Sequence, residues 1–398
     1  MRSDDLSTLH ARNAVAAVFA LNGFAFASWV ARIPEARDGL DLTPGRLGLL
    51  LLGLSLGAVV ALPTAGIWVN RFGAARVVGA AAVVAAAGLG LAGAGAGVLA
   101  EVWVAGVGLF LLGFGSGTWD VAMNVEGAAV EHRSRRTIMP RFHAAFSLGT
   151  VGGAATGAAA AAAGLSLAWH LGVAAVLVAA LPAVAVRRFL PAGAGEHSEG
   201  GRSAWRAWKE PRTVAIGVMV LSMALTEGVA NDWLAVALVD GYDVPAWVGA
   251  SGFALFVTAM TLGRLVGGAL LDRFGRLPVL WSSMAVAAAG VLLVVFGQLT
   301  VLVVVGVVLW GLGASLGFPV GMSAAADDPV HAPARVSVVS TIGYTAFLAG
   351  PPLVGFVGDR VGVLNALLLV AVLLVPSAAV VPAARPSRGT GARRSAAG

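Results

Sequence analysis

Between Gly117 and Gly127 the chain reads GTWDVAMNVEG, which places Asp120, Asn124 and Glu126 within seven residues. They follow a run from Val102 to Ser116 that carries no charge. A charged side chain at the centre of a bilayer costs about 2.5–3.5 kcal/mol on insertion scales, so it ordinarily faces a cavity or a partner. Asp120 and Asn124 are four residues apart and share a helical face with Ser116 and Gly113, whereas Glu126 points elsewhere. At 1.5 Å per residue Asp120 lies about 27 Å along its helix, toward the basic end, and Glu126 and Glu131 approach the surface there. Two chemistries fit Asp120. It binds substrate or proton in a cavity, or it pairs with a base such as Arg141, His143 or Arg264 at a gate.

A second group lies at 227–233. Glu227 and Asn231 share a face, Asp232 points about 100° away from Asn231, and Trp233 is expected to mark a membrane interface. A carboxylate that passes between wet and dry surroundings can take up and release a proton, and Glu227 sits near the middle of its span. The alternative is a protonated Glu227 that only bonds a neighbouring helix. Asn22, Phe26 and Trp29 lie on one helical face, a mix of amide and aromatic groups that suits a sugar-like ligand. Trp29 equally suits an interfacial belt. Arg32 and Glu35 read as a surface pair. Tyr344 adds a hydroxyl. Arg264, inside a span, is expected to pair with Asp272 or with an acid of another helix. Ser315, Phe318 and Pro319 point to a kinked, cavity-facing segment.

Other chemistries are excluded. The chain has no cysteine, so thiol catalysis and thiolate metal sites are out, and none of its six histidines pairs with another four residues away. No phosphate-cradling glycine loop is present, so ATP drive within the chain is not expected. We expect no enzyme activity, no metal and no cofactor.

The elements that must position these groups follow from composition. Hydrophobic residues make up 58% and charged residues 12% of the 398 residues. Soluble domains carry about 25% charged residues. Continuous apolar runs of about 20 residues require spanning helices, and they exclude a barrel, whose strands alternate. About twelve spans are read, near 13–31, 46–69, 76–98, 102–129, 143–163, 166–186, 213–235, 247–270, 278–297, 299–322, 335–357 and 362–382. With the N-terminus inside, only Arg32, Arg37, Arg46 and Arg360 of the 26 Lys and Arg residues fall outside, so both termini are expected in the cytoplasm. The basic balance, a net charge of +6, thus reports topology and not nucleic-acid binding. The expected organisation is an all-α polytopic membrane protein. It has a six-helix bundle at 1–186, a cytoplasmic linker at 187–212, a second bundle at 213–382 and a disordered basic tail at 383–398. Trp205 and Trp208 flank Arg206 in the linker, which suits either a short headgroup-level helix or a flexible connector.

The chain repeats itself. GIWVNRFG (Gly66, Asn70, Arg71, Gly73) ends the second span and GALLDRFG (Gly268, Asp272, Arg273, Gly275) ends the eighth, 202 residues later. A third copy, GFVGDRVG, ends the eleventh span at Asp359 and Arg360, on the opposite membrane face. Inverted three-helix repeats nested in two parallel halves leave this pattern.

This organisation resembles the major facilitator superfamily over nearly the whole chain. GFAFASWVARIPEARD, WDVAMNVEGAAVE, RFHAAFSLG, TEGVANDW and GYTAFLAGPPLVGF are similar to its MosC/YbjJ-like branch, distantly related to fucose permease. The resemblance implies a monomeric secondary transporter of the plasma (inner) membrane, moving a small solute by alternating access, with proton symport a plausible drive. A drug exporter or a non-transporting sensor of this fold is the alternative. Two departures stand out. Asn70 replaces the family's loop acid, which weakens the latch that the acid implies on the cytoplasmic side. The fifth span, SLGTVGGAATG, lacks the Gly-Pro motif of many antiporters.

Overall fold

The computed structural model describes residues 3–134, 138–190, 204–328 and 331–386. Among them every regular element is helical. The first six long or short helices are α1 (Ser3–Val30), α2 (Ile33–Gly39), α3 (Pro44–Phe72), α4 (Ala74–Ala94), α5 (Val102–Ser134) and α6 (Met139–Ala162). Next come α7 (Leu167–Ala185), α8 (Ala204–Ala207), α9 (Pro211–Tyr242), α10 (Ala246–Phe274) and α11 (Arg276–Phe296). The chain finishes with α12 (Thr300–Ala314), α13 (Gly317–Ala325), α14 (Ala332–Val361), α15 (Val363–Ala366) and α16 (Leu368–Val380). Among the described residues, eleven segments are long and apolar enough to cross a membrane. The expected fifth span, α6, has 24 residues but is built largely of Gly, Ala, Ser and Thr, which lowers its apolarity without shortening it.

Local chemistry sets the ends. Thr43 caps α3 by accepting from the Arg46 amide, with Pro44 at the first helical position, and Ser166 caps α7 in the same way. The three copies of the repeated motif end their helices on glycines with left-handed φ, Gly73 at 81°, Gly275 at 78° and Gly362 at 83°. A side chain there would be strained. The repeat also extends to places where the motif is absent. Asp41 and Asp243, 202 positions apart, both turn with φ near 50° just before the helix that follows them. Gly88 of α4 meets α5 backbone, and Gly290 of α11 meets α12 backbone, each at a point where a Cβ would collide. Such small residues let spanning helices approach closely.

The tenth span breaks, as the proline predicts. Pro319 has no N–H to give the Ser315 carbonyl, and α12 stops at Ala314 before α13 begins at Gly317. The seventh span is longer than expected. It runs to Tyr242, so Trp233 does not mark an interface but is fully buried. The linker and tail readings fall largely on 191–203 and 387–398, outside the described residues. What is described there is a four-residue helix, α8, and short 3-10 turns at Val186–Arg188 and Val381–Ala384.

The chain forms two compact units. The first comprises Met1–His197, Ala230–Thr261 and Pro351–Ala366, and the second Ser198–Val229, Leu262–Gly350 and Leu367–Gly398.

Candidate functional site

In the first unit, Asp120 is held by its own helix. Asn124 Nδ2 donates to the Asp120 carbonyl at 2.8 Å and to its Oδ1 at 3.3 Å. Both side chains are half-buried. The bases expected as gate partners are not bonded to Asp120: His143 packs edge-on against Phe19, and Arg264 is engaged by another acid. Asn22, nearly fully buried, donates to the Ser116 carbonyl at 3.3 Å and lies 4.0 Å from Met123 Sδ, which ties α1 to α5. Trp29 is fully buried, so it is not an interfacial belt residue, and its indole N–H finds no acceptor among the described residues. The indoles of Trp119 and Trp233 are likewise buried and unpartnered there.

Asn231 is buried and Asp232 half-buried in this unit. Asp232 makes no hydrogen bond or ion pair among the described residues. Unlike Asp272 at the exposed end of its span, it is partly buried and so has less water to replace those partners.

Two readings of surface groups are corrected. Arg32 is 1% exposed: it pairs with Glu35 and donates to the Leu165 carbonyl at 2.8 Å. Burial raises the Glu35 carboxyl above its ordinary range, against the pull of Arg32. Glu126 is 6% exposed, and its Oε1 accepts from the Leu190 amide at 2.7 Å. Its six-residue offset from Asp120 turns it away from that acid, but toward protein and not toward water. Glu131 clamps the next turn by accepting from the Ile138 and Met139 amides, both at 2.7 Å.

On the face opposite the chain's N-terminus, the same unit holds contacts that helix periodicity could not reveal. The Gly45 amide, at the start of α3, donates to Asp359 Oδ1 at 3.0 Å. Gly48 lies against Pro351, and Gly355 against Pro44, each too close for a Cβ. Arg37 pairs with Asp240. The third motif copy was the sequence signal for Asp359. No signal announced Arg37 with Asp240.

In the second unit, Arg264 Nη2 donates to Glu227 Oε2 at 2.9 Å. Its Nε reaches the Ser315 carbonyl at 3.4 Å, the group that Pro319 leaves without a helical donor. One guanidinium thus links α9, α10 and the α12–α13 break. The Trp310 indole donates to the Thr226 carbonyl at 3.0 Å. Tyr344 is partly exposed and sits in an aromatic row with Phe318 and Phe347, at centroid distances of 6.3 and 6.2 Å. Beside the turn at Val381–Ala384, Arg212 and Arg276 both reach Asp327, and Arg335 pairs with Glu210 at 2.7 Å. The Arg335 bond pulls the Glu210 carboxyl below its ordinary range.

The two loop motifs at 66–73 and 268–275 look alike. Arg71 lies over Phe72 at 5.4 Å and Arg273 over Phe274 at 5.2 Å. Gly66 and Gly268 face open space. Neither Asn70 nor Asp272 makes a hydrogen bond or ion pair among the described residues, whereas the third copy's Asp359 does. No group of three or more metal-ligating side chains occurs among the residues described.

The Major Facilitator Superfamily profile matches residues 15–257 and 246–397. An uncharacterised MFS-type transporter of Yersinia pestis is 32% identical over 372 residues, covering 91% of this chain and 92% of that protein. Membrane protein MosC of Rhizobium meliloti is 27% identical, covering 90% and 86%. Among solved structures, the nucleoside transporter NupG superposes with a TM-score of 0.76 at 15% identity, over 94% of this chain and 98% of NupG. The Escherichia coli fucose:proton symporter FucP gives 0.65 at 15%, over 96% and 100%. These two likenesses concern the fold.

Proposed function

Because this chain belongs to the major facilitator superfamily of membrane transporters, we propose that it is a proton-coupled secondary transporter of a small polar solute, of the sugar or nucleoside kind. Its six-helix halves, 1–186 and 213–382, joined by 187–212, alternate access to a site between them. It works as a monomer in the plasma membrane with both termini in the cytoplasm.

The observation that carries the coupling is Asp232. A carboxylate within a span, with no cation or donor to compensate it among the described residues, is a group whose protonation depends on whether water reaches it. Glu227, by contrast, is already neutralised by Arg264. The proton role therefore moves from Glu227 to Asp232, and Glu227 becomes the anchor of Arg264. Asp120 and Asn124 form a polar step on α5 that suits a solute hydroxyl or a gate. The row of Phe318, Tyr344 and Phe347 offers rings to a sugar or base face. Two proteins of similar fold, a nucleoside transporter and a fucose:proton symporter, support the same solute classes. Asp359 on Gly45 and Arg37 on Asp240 close the pathway on the face opposite the termini, and they must part for that face to open.

The test is a thermal-shift screen of sugars, polyols and nucleosides, since a ligand of the folded state raises its stability. Flux of each hit is then measured in proteoliposomes under an imposed pH gradient. Wild type accumulates the solute, and Asp232→Asn exchanges it without pH-driven accumulation. Accumulation by Asp232→Asn with a normal pH profile would overturn the coupling. Reporter fusions after Gly200 and Asp243 should score cytoplasmic and external respectively, and the reverse would invert the topology.

A further inference from the structure

We propose that the crevice between α3, α4 and α5 binds one anionic phospholipid from the leaflet on the face of the termini. An acyl chain fills the crevice, and the phosphate meets Arg71 and Arg76. The crevice has a volume of 360 Å3 and is lined by Trp68, Phe72, Val77, Val84 and Phe114, with Arg76 among them. Its walls are otherwise almost wholly apolar, so the occupant's buried part is apolar too.

The mouth is cationic. Arg71 is the second-last residue of α3 and Arg76 the third of α4, so both stand at span ends, from which a long cationic side chain reaches headgroups. Neither has an ion pair or hydrogen bond among the described residues. Arg71 lies over Phe72, itself a wall of the crevice. The carboxylates of the α5 end are occupied: Glu126 holds the Leu190 amide, and Glu131 holds those of Ile138 and Met139. An apolar slot with Arg76 in its wall and Arg71 over the wall residue Phe72, both unpaired among the described residues, matches a lipid anion in both its parts.

The internal repeat supplies the control. A crevice of 560 Å3 in the second unit is lined by Leu270, Phe274, Pro278, Val279 and Ser282. Each stands 202 positions after Trp68, Phe72, Arg76, Val77 and Ala80. The shape recurs but the charge does not. Pro278 replaces Arg76, and Asp272 stands where the first half has Asn70. The nearby Arg276 is spent on Asp327 and the Ala384 carbonyl. Among the described residues the second mouth therefore sets one acid against Arg273, and the first has two cations and no free acid. Asn70 thereby acquires a role: an acid there would sit beside Arg71 and repel a phosphate.

The full-length protein, stripped of lipid in detergent, is titrated with dioleoylphosphatidylglycerol or dioleoylphosphatidylcholine, and bound lipid is counted by native mass spectrometry. The expected result is one high-affinity phosphatidylglycerol. In Arg71→Gln/Arg76→Gln its affinity falls roughly thirtyfold, the sum of two surface cations acting on an anionic headgroup. Ala80→Trp, which blocks the slot from an exposed helix position, abolishes it. Arg273→Gln, the repeat-related change, leaves it intact. A photoactivatable acyl chain should label segments within 68–84 and 110–118. Undiminished binding in the double variant, equal retention of phosphatidylcholine or detergent, equal loss in Arg273→Gln, or label confined to other helices would each overturn the site. None of these readouts involves transport, so failure here is distinguishable from failure of the coupling scheme.

Discussion

Removing one member of the Glu227–Arg264 pair should expose how much the second unit depends on it. Truncating one partner of a fully buried ion pair costs about 3–5 kcal/mol, because a lone charge is left behind. A solvent-exposed pair is worth about 0–1 kcal/mol. The Arg264 and Glu227 side chains are 30% and 18% exposed, between those limits. We therefore expect about 2 kcal/mol from either Glu227→Gln or Arg264→Gln, roughly a thirtyfold change in the folded-to-unfolded ratio. Arg264→Gln should be the more damaging, because the Ser315 carbonyl also loses its donor. The double variant should cost clearly less than the sum, with a coupling of about 1–2 kcal/mol. The assay is a double-mutant cycle read by tryptophan fluorescence during denaturant unfolding in detergent. Additive single costs, or single costs below about 0.5 kcal/mol, would refute the reasoning, since surface-like changes fall in that range.

Three further outcomes are expected. Glu126→Ala should destabilise by about 1–3 kcal/mol, because the Leu190 amide is left without its acceptor, and Glu126→Gln should restore most of the loss; equal unfolding midpoints for Ala and wild type would contradict this. Asp359→Asn should speed amide hydrogen exchange at the start of α3, around Gly45, about tenfold, the difference between a charge-assisted and a neutral bond, and unchanged exchange there would show that the contact does not hold the face shut. Arg335 holds the Glu210 carboxyl below its ordinary pKa of 4.5, so this stabilisation is present above pH 4.5 and fades as the pH falls through the lowered value. Unfolding midpoints of Arg335→Gln should thus lie below those of wild type near neutrality and converge with them in acid, and a constant gap at every pH would sink the linkage.

What could be read from the residues in order was whatever depends on local periodicity and on repetition. Apolar runs longer than a bilayer is thick can only be helices, because lipid offers the backbone no partners. Pro319 announced a kink in the tenth span, and the offset of 202 residues between Asn70 and Asp272 announced a duplicated unit before any helix was placed. The shared face of Asp120 and Asn124 was likewise legible, since a helix puts residues four apart side by side. Periodicity states which residues share a face but not what that face meets. Arg264 could have met several acids, and only packing selected Glu227, 37 positions away in the chain. The same ignorance misplaced Trp29, Arg32, Glu126 and Trp233. Each has the composition of an interfacial or surface residue, yet a neighbouring helix covers it. The acid of the third motif copy was visible as a letter, and its docking on Gly45 was decided by which helix ends the fold brings together.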